Sequence, residues 1–176
     1  VKVPVFSFSK LTRVDVTLGP EMKSTGEVMG KDSTLEKALY KGLIGAGRKV
    51  PLHGSILFTI DDVNKPEAAR LAKRFYDIGF KIWATRGTSR YFNELNIPTK
   101  IGYKIEEETE NLISLIQKGK VQYVVNTTTK GKQSMNDGFL IRRTSVENGV
   151  PCLTSMDTVE AMLKVIESMT FKMEKM

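Results

Sequence analysis

From residue 54 onward, short apolar runs alternate with stretches in which apolar positions recur at helical spacing. The runs GSILFTI (54–60), FKIWAT (80–85), TKIGYK (99–104), VQYVVNTT (121–128) and VPCLTS (150–155) read as strands. The first of these is a continuous β-prone run. Asn64, Pro66 and Glu67 start a helix that Gly79 stops, and further helical patterns cover 88–96, 108–118, 135–147 and 157–169. This alternation predicts an α/β fold: a parallel five-stranded sheet with helices on both faces, Rossmann-like.

The first fifty residues follow another pattern. Residues 3–8 (VPVFSF) alternate like an edge strand, and Pro4 is tolerable only at such a place. LGPEMKSTGEVMGKD (18–32) reads as a glycine-rich loop. Ser33 and Glu36 then form a capping-box pair ahead of a helix with Leu35, Ala38, Leu39 and Leu43 on one face, ending at Gly45 and Gly47. One strand and one such helix cannot bury both faces of either element. Residues 1–50 are therefore expected to be the trailing edge of another domain, joined through GRKVPLH (47–53), with His53 a solvated linker residue, to a domain over 51–176.

Composition narrows the class. The net charge of +7 divides into +4 over 1–50 and +3 over 51–176, a mild excess that suits an anionic small ligand better than nucleic acid. No apolar run approaches the roughly 20 residues of a membrane span. One cysteine and one histidine exclude an internal disulfide framework and a zinc site of the usual ligand count, and a reducing cytoplasm is the expected setting. VKVPVFSFSK lacks the build of a signal or transit peptide, and the chain is expected to be a piece of a longer one.

Candidate chemistry collects where the strands end, the edge at which parallel sheets bind ligands. The exits carry Thr59 to Asp62, Thr85 to Ser89 (TRGTS), Lys104, Asn126 to Lys132 (NTTTKGK), and Thr154 with Ser155. Hydroxyls, glycine-turn N–H groups and helix N-termini bind phosphate oxygens. Gly87 would admit close approach, Thr88 or Ser89 would open the next helix, and Lys65 or Lys104 would supply countercharge. Each exit read singly is an ordinary cap or turn, and it is their convergence that points to an anion pocket. NTTTKGKQS fails as a P-loop, with Asn126 where the first glycine belongs, and GAGRKV follows a helix instead of a strand. Cys152 reads as a buried core thiol, Glu106–Glu110 as a solvated helix start, and nothing demands that Asp61, Asp62 or Asp137 act as an acid or base.

LGPEMKSTGEVMG, with HGSILFTI, DIGFKIWATRGTSRYF, VQYVVNTTT, FLIRRTS and GVPCLTSMDT after it, resembles the C-terminal end of carbamoyl-phosphate synthetase large subunits over essentially the whole chain. The resemblance implies the tail of the second ATP-grasp unit over the first fifty residues and a methylglyoxal-synthase-like allosteric domain after them. By similarity Lys65, Thr85 and Thr88, with Lys104, would hold a nucleotide phosphate, Asn126 and Thr128 would face ribose or base, and Thr59 and Thr127 are second choices. The effectors implied are UMP, IMP or phosphoribosyl pyrophosphate. The fragment itself would catalyse nothing and carry no cofactor. Its parent would use ATP with Mg or Mn and a glutaminase small subunit to make carbamoyl phosphate for pyrimidine and arginine synthesis, and self-association occurs in such proteins. Of the tyrosine-aspartate-threonine pattern linked to ornithine activation, Cys152-Leu153-Thr154 keeps only the threonine, which favours pyrimidine-type regulation. The alternative is a methylglyoxal-synthase-type lyase acting on dihydroxyacetone phosphate. Its Gly-Asp-Gln run and its aspartate after the fourth strand have no counterpart in IEEETEN and NTTTKGK.

Overall fold

A computed structural model describes residues 1–6, 22, 24–103, 111–127 and 132–170. Near the start, β1 (Lys2–Phe6) and β2 (Ser24–Met29) pair antiparallel and lean on α1 (Leu35–Gly45). The second strand lies inside the stretch expected to be a loop. The helix is capped by Thr34, whose hydroxyl accepts the Lys37 N–H at 3.4 Å, and not by Ser33, whose own N–H donates to Asp32 Oδ1 at 2.6 Å. Ala38 and Leu43 are buried as expected, but Leu35 is 67% exposed, overhanging a groove between α1 and the last helix.

The remainder alternates as predicted. In chain order it forms β3 (Ser55–Thr59), a 3-10 turn at Asp62–Asn64, α2 (Lys65–Asp77), β4 (Lys81–Ala84), α3 (Arg86–Glu94), β5 (Thr99–Ile101), α4 (Leu112–Gln117), β6 (Tyr123–Asn126), α5 (Lys132–Glu147), β7 (Cys152–Leu153) and α6 (Met156–Thr170). The five strands lie in the order β5-β4-β3-β6-β7, all parallel. The chain walks outward from β3 through β4 to β5, then returns to the far side of β3 for β6 and β7. With right-handed crossovers the two walks must use opposite faces of the sheet.

That division is visible in the core. Ile56 and Phe58 of β3 pack with α2, α3 and α6 on one face, whereas Leu57 packs with Leu112, Ile116, Val124 and Ile141 on the other. On the first face Phe58 meets Phe75 and Phe92 edge-on, at ring-centroid distances of 6.5 and 5.5 Å, contacts each contributing about 0.5–1.5 kcal/mol beyond burial. Val3, Leu43 and Val50 join this same core. Arg74 of α2 forks onto Glu167 of α6, donating from Nε at 3.0 Å and Nη2 at 2.7 Å. That pairing raises the guanidinium pKa further.

Cys152 is half-buried, packed at the margin of the second face, where the sequence suggested a buried core thiol. Among the described residues no helix is long and apolar enough to cross a membrane.

Candidate functional site

Strand register brings the polar exits together. Thr59 pairs with Asn126 across β3 and β6, while Phe58 aligns with Ala84 and Ala84 with Ile101. The last rungs extend past the strands: Thr85 N donates to Phe58 O at 3.2 Å, Thr127 N to Thr59 O at 3.2 Å, and Gly102 N to Ala84 O at 2.9 Å. The exits of β3, β4, β5 and β6 therefore end on one level. Between β3 and β6 the chain reverses its direction of travel, which opens a crevice at the carboxyl ends. A cavity of about 740 Å³ lies there, walled by Thr59, Thr85, Arg86, Arg90, Asn126 and Asp137 among others.

The turn from β4 into α3 forms one wall. The helix begins at Arg86, two residues earlier than the sequence suggested, so Thr85 occupies the cap position and neither Thr88 nor Ser89 opens it. Thr85 makes no side-chain capping bond; its hydroxyl donates instead to Thr88 Oγ1 at 3.2 Å. No side-chain cap from Thr85 thus covers the first-turn N–H groups, the arrangement from which helices bind anions. Thr88 is 1% exposed and sits behind Thr85. Lys65 reaches the same turn: its Nζ would lie 3.6 Å from a Cβ on Gly87, and it pairs with Asp62 Oδ1 at 2.6 Å.

The opposite wall is a hydrogen-bonded relay. Asn126 Nδ2 donates to Thr59 Oγ1 at 2.7 Å, and the Thr59 hydroxyl donates to Val125 O at 3.1 Å. Arg142 Nη1 donates to Asn126 Oδ1 at 2.8 Å. Beside it, Thr127 Oγ1 accepts the Asp61 N–H at 3.0 Å and donates to Asp61 Oδ1 at 3.1 Å, which pins the first residues after β3 to those after β6.

Of the residues singled out by sequence, Thr59, Thr85, Asn126 and Thr127 line the cavity, and Lys65 and Thr88 stand immediately behind its α3 wall. Lys104 and Thr128 lie outside the described residues, as do Lys130 and the Glu106–Glu110 run. Sequence reasoning passed over Arg86, Arg90, Tyr103 and Gly138, which line the cavity, and Arg142 behind it, and it gave Asp137 no part. The two arginines were legible in principle. A helix starting at 86 puts positions 86 and 90 one turn apart on one face, and starting it at 88 hid the pair.

Among the described residues no group of three or more histidine, cysteine or carboxylate side chains is placed to hold a metal ion. Among the described residues the cavity walls present hydroxyls, guanidinium groups, one amide and one carboxylate. Hydroxyl and guanidinium groups of this kind can donate hydrogen bonds to anionic oxygens. Residues 67–154, half of the chain, match the family model of the MGS-like domain, from the first turn of α2 to just past β7.

Proposed function

The chain belongs to the MGS-like domain family, and from that premise we propose that it is the allosteric domain of a carbamoyl-phosphate synthase large chain, binding a nucleoside monophosphate at the strand-exit cavity. UMP is the favoured effector, with IMP or phosphoribosyl pyrophosphate as the other candidates. The observation that carries this reading is the α3 turn. A glycine, first-turn N–H groups not capped by Thr85, two threonine hydroxyls and the Lys65 ammonium converge on one side of a cavity whose volume, about 740 Å³, suits a nucleotide.

Regulation then follows from differential affinity. An effector shifts the synthase only by as much as it prefers one of its states, typically about 1–3 kcal/mol. Residues 1–50, read as the tail of the ATP-grasp unit, are the proposed mechanical connection. Their support is that Val3 and Leu43 share one core with the helices of residues 51–176. ATP with its Mg or Mn, the glutaminase subunit and synthesis of carbamoyl phosphate belong, on this reading, to the remainder of the parent.

Calorimetric titration with UMP, IMP and phosphoribosyl pyrophosphate in phosphate-free buffer tests the proposal. Saturable binding of UMP is expected, and Thr85→Ala, which removes the hydroxyl that lines the cavity, should weaken it about ten- to a hundredfold, the effect of losing a hydrogen bond to a charged group. No heat from any of the three would return the turn to a purely structural role. The lyase reading keeps one observation in its favour, Asp137 at the cavity wall. Methylglyoxal released from dihydroxyacetone phosphate would put it first.

A further inference from the structure

We infer that Arg142 is a positioning residue that locks the Asn126 side chain in one sense, so that Asn126 meets the bound compound as a hydrogen-bond donor. The inference rests on the strand-exit cavity being a binding site, as proposed above. Two independent contacts dictate the sense. A guanidinium has donors and no acceptor, so Arg142 Nη1, 2.8 Å from the amide, can be satisfied there only by Oδ1. On the other side the Thr59 hydroxyl spends its hydrogen on Val125 O, which leaves its oxygen to accept from Asn126 Nδ2 at 2.7 Å. A flipped amide would set donor against donor at Arg142 and acceptor against acceptor at Thr59.

The site is built around this pair. Arg142 is 6% exposed and Asn126 4%, so a mismatched amide would carry the cost of a buried unsatisfied group. The backbone of α5 closes onto them at Gly138, where a Cβ would stand 3.0 Å from Arg142 Nη1 and 3.5 Å from Asn126 Oδ1. Any larger residue would press on the contact. With one Nδ2 hydrogen committed to Thr59, the second is what Asn126 retains for the cavity it lines. The ligand must present a hydrogen-bond acceptor at that position: a phosphoryl oxygen, a sugar hydroxyl, a ring carbonyl or an unprotonated ring nitrogen. A compound offering only an N–H there is selected against.

A double-mutant cycle on UMP affinity tests this, using Arg142→Met, Asn126→Ala and both together. Each single change is expected to weaken binding about tenfold, the effect of one hydrogen bond. The double variant should be no weaker than Asn126→Ala alone, because Arg142 acts through Asn126. Arg142→Lys, which keeps a donor, should recover part of the loss. Losses that multiply in the double variant, or wild-type affinity in Arg142→Met, would overturn the inference. Should Arg142→Met fail to fold, Gly138→Ala disturbs the same pair without removing a donor. It is expected to weaken UMP binding several-fold, and unchanged affinity would count against us. If the wild-type chain binds none of UMP, IMP or phosphoribosyl pyrophosphate, the site reading falls and takes this inference with it; binding with multiplicative losses sinks the inference alone.

Discussion

At Gly30 the chain requires the absence of a side chain. A Cβ there would fall 2.0 Å from Ala38 O and 2.7 Å from Gly42 N, backbone atoms of α1 that cannot swing aside. Gly30→Ala is expected to cost about 1–3 kcal/mol through overpacking, read as a lower urea midpoint at unchanged slope. A shift below about 0.5 kcal/mol, the size of an ordinary surface change, would mean that β2 slides off α1 freely. The same scale explains which site residues the sequence disclosed. Thr59, Thr85 and Asn126 are polar residues that end apolar runs, so their place in a parallel sheet follows from chain order alone. Arg142 sits in mid-helix beside Arg143 with nothing local to set it apart, and only the packing of α5 against β6 delivers it to Asn126.

Elements were legible in proportion to their own apolar content. SILFT and YVVN are buried at every position and declare themselves, whereas STGEVM carries isolated apolar residues and is a strand only because β1 pairs with it. Beyond the sheet, β6 also reaches back to the connector: Tyr123 donates its hydroxyl hydrogen to Pro51 O at 3.0 Å. Burial, aided by nearby Tyr40, pushes the ionisation of this phenol well above its ordinary value of about 10. The sign follows from comparing the two states. Below about pH 10 the phenol is neutral both folded and unfolded, and its contribution is intact. As pH rises further the unfolded chain ionises first, and stability falls. Tyr123→Phe should therefore lose about 1 kcal/mol at neutral pH, with the hydrogen bond, and show a shallower alkaline decline in chemical denaturation. An unchanged alkaline slope would assign that decline to other groups.

At the scale of the whole molecule, the strand order β5-β4-β3-β6-β7 puts the earliest strand of the sheet at its centre. While the protein is being synthesised, β3, β4 and β5 emerge first, and one side of β3 waits for residues 123–126. Until then a strand that is buried at every position in the finished fold presents an unpaired edge, the feature that invites association between chains. Its packed face waits longer, for Val159, Leu163 and Ile166 of α6, near the end of the described chain. Ribosome-bound chains halted before residue 126 has emerged should be cut rapidly by a protease, and those with α6 outside the tunnel should resist. Early protection would mean that the three-strand half stands alone. The order of strands thus leaves the growing polypeptide with an open sheet edge until β6 emerges, and it places the assembly of the crevice, whose β3 and β6 walls are 67 residues apart in sequence, after the first three strands of the sheet.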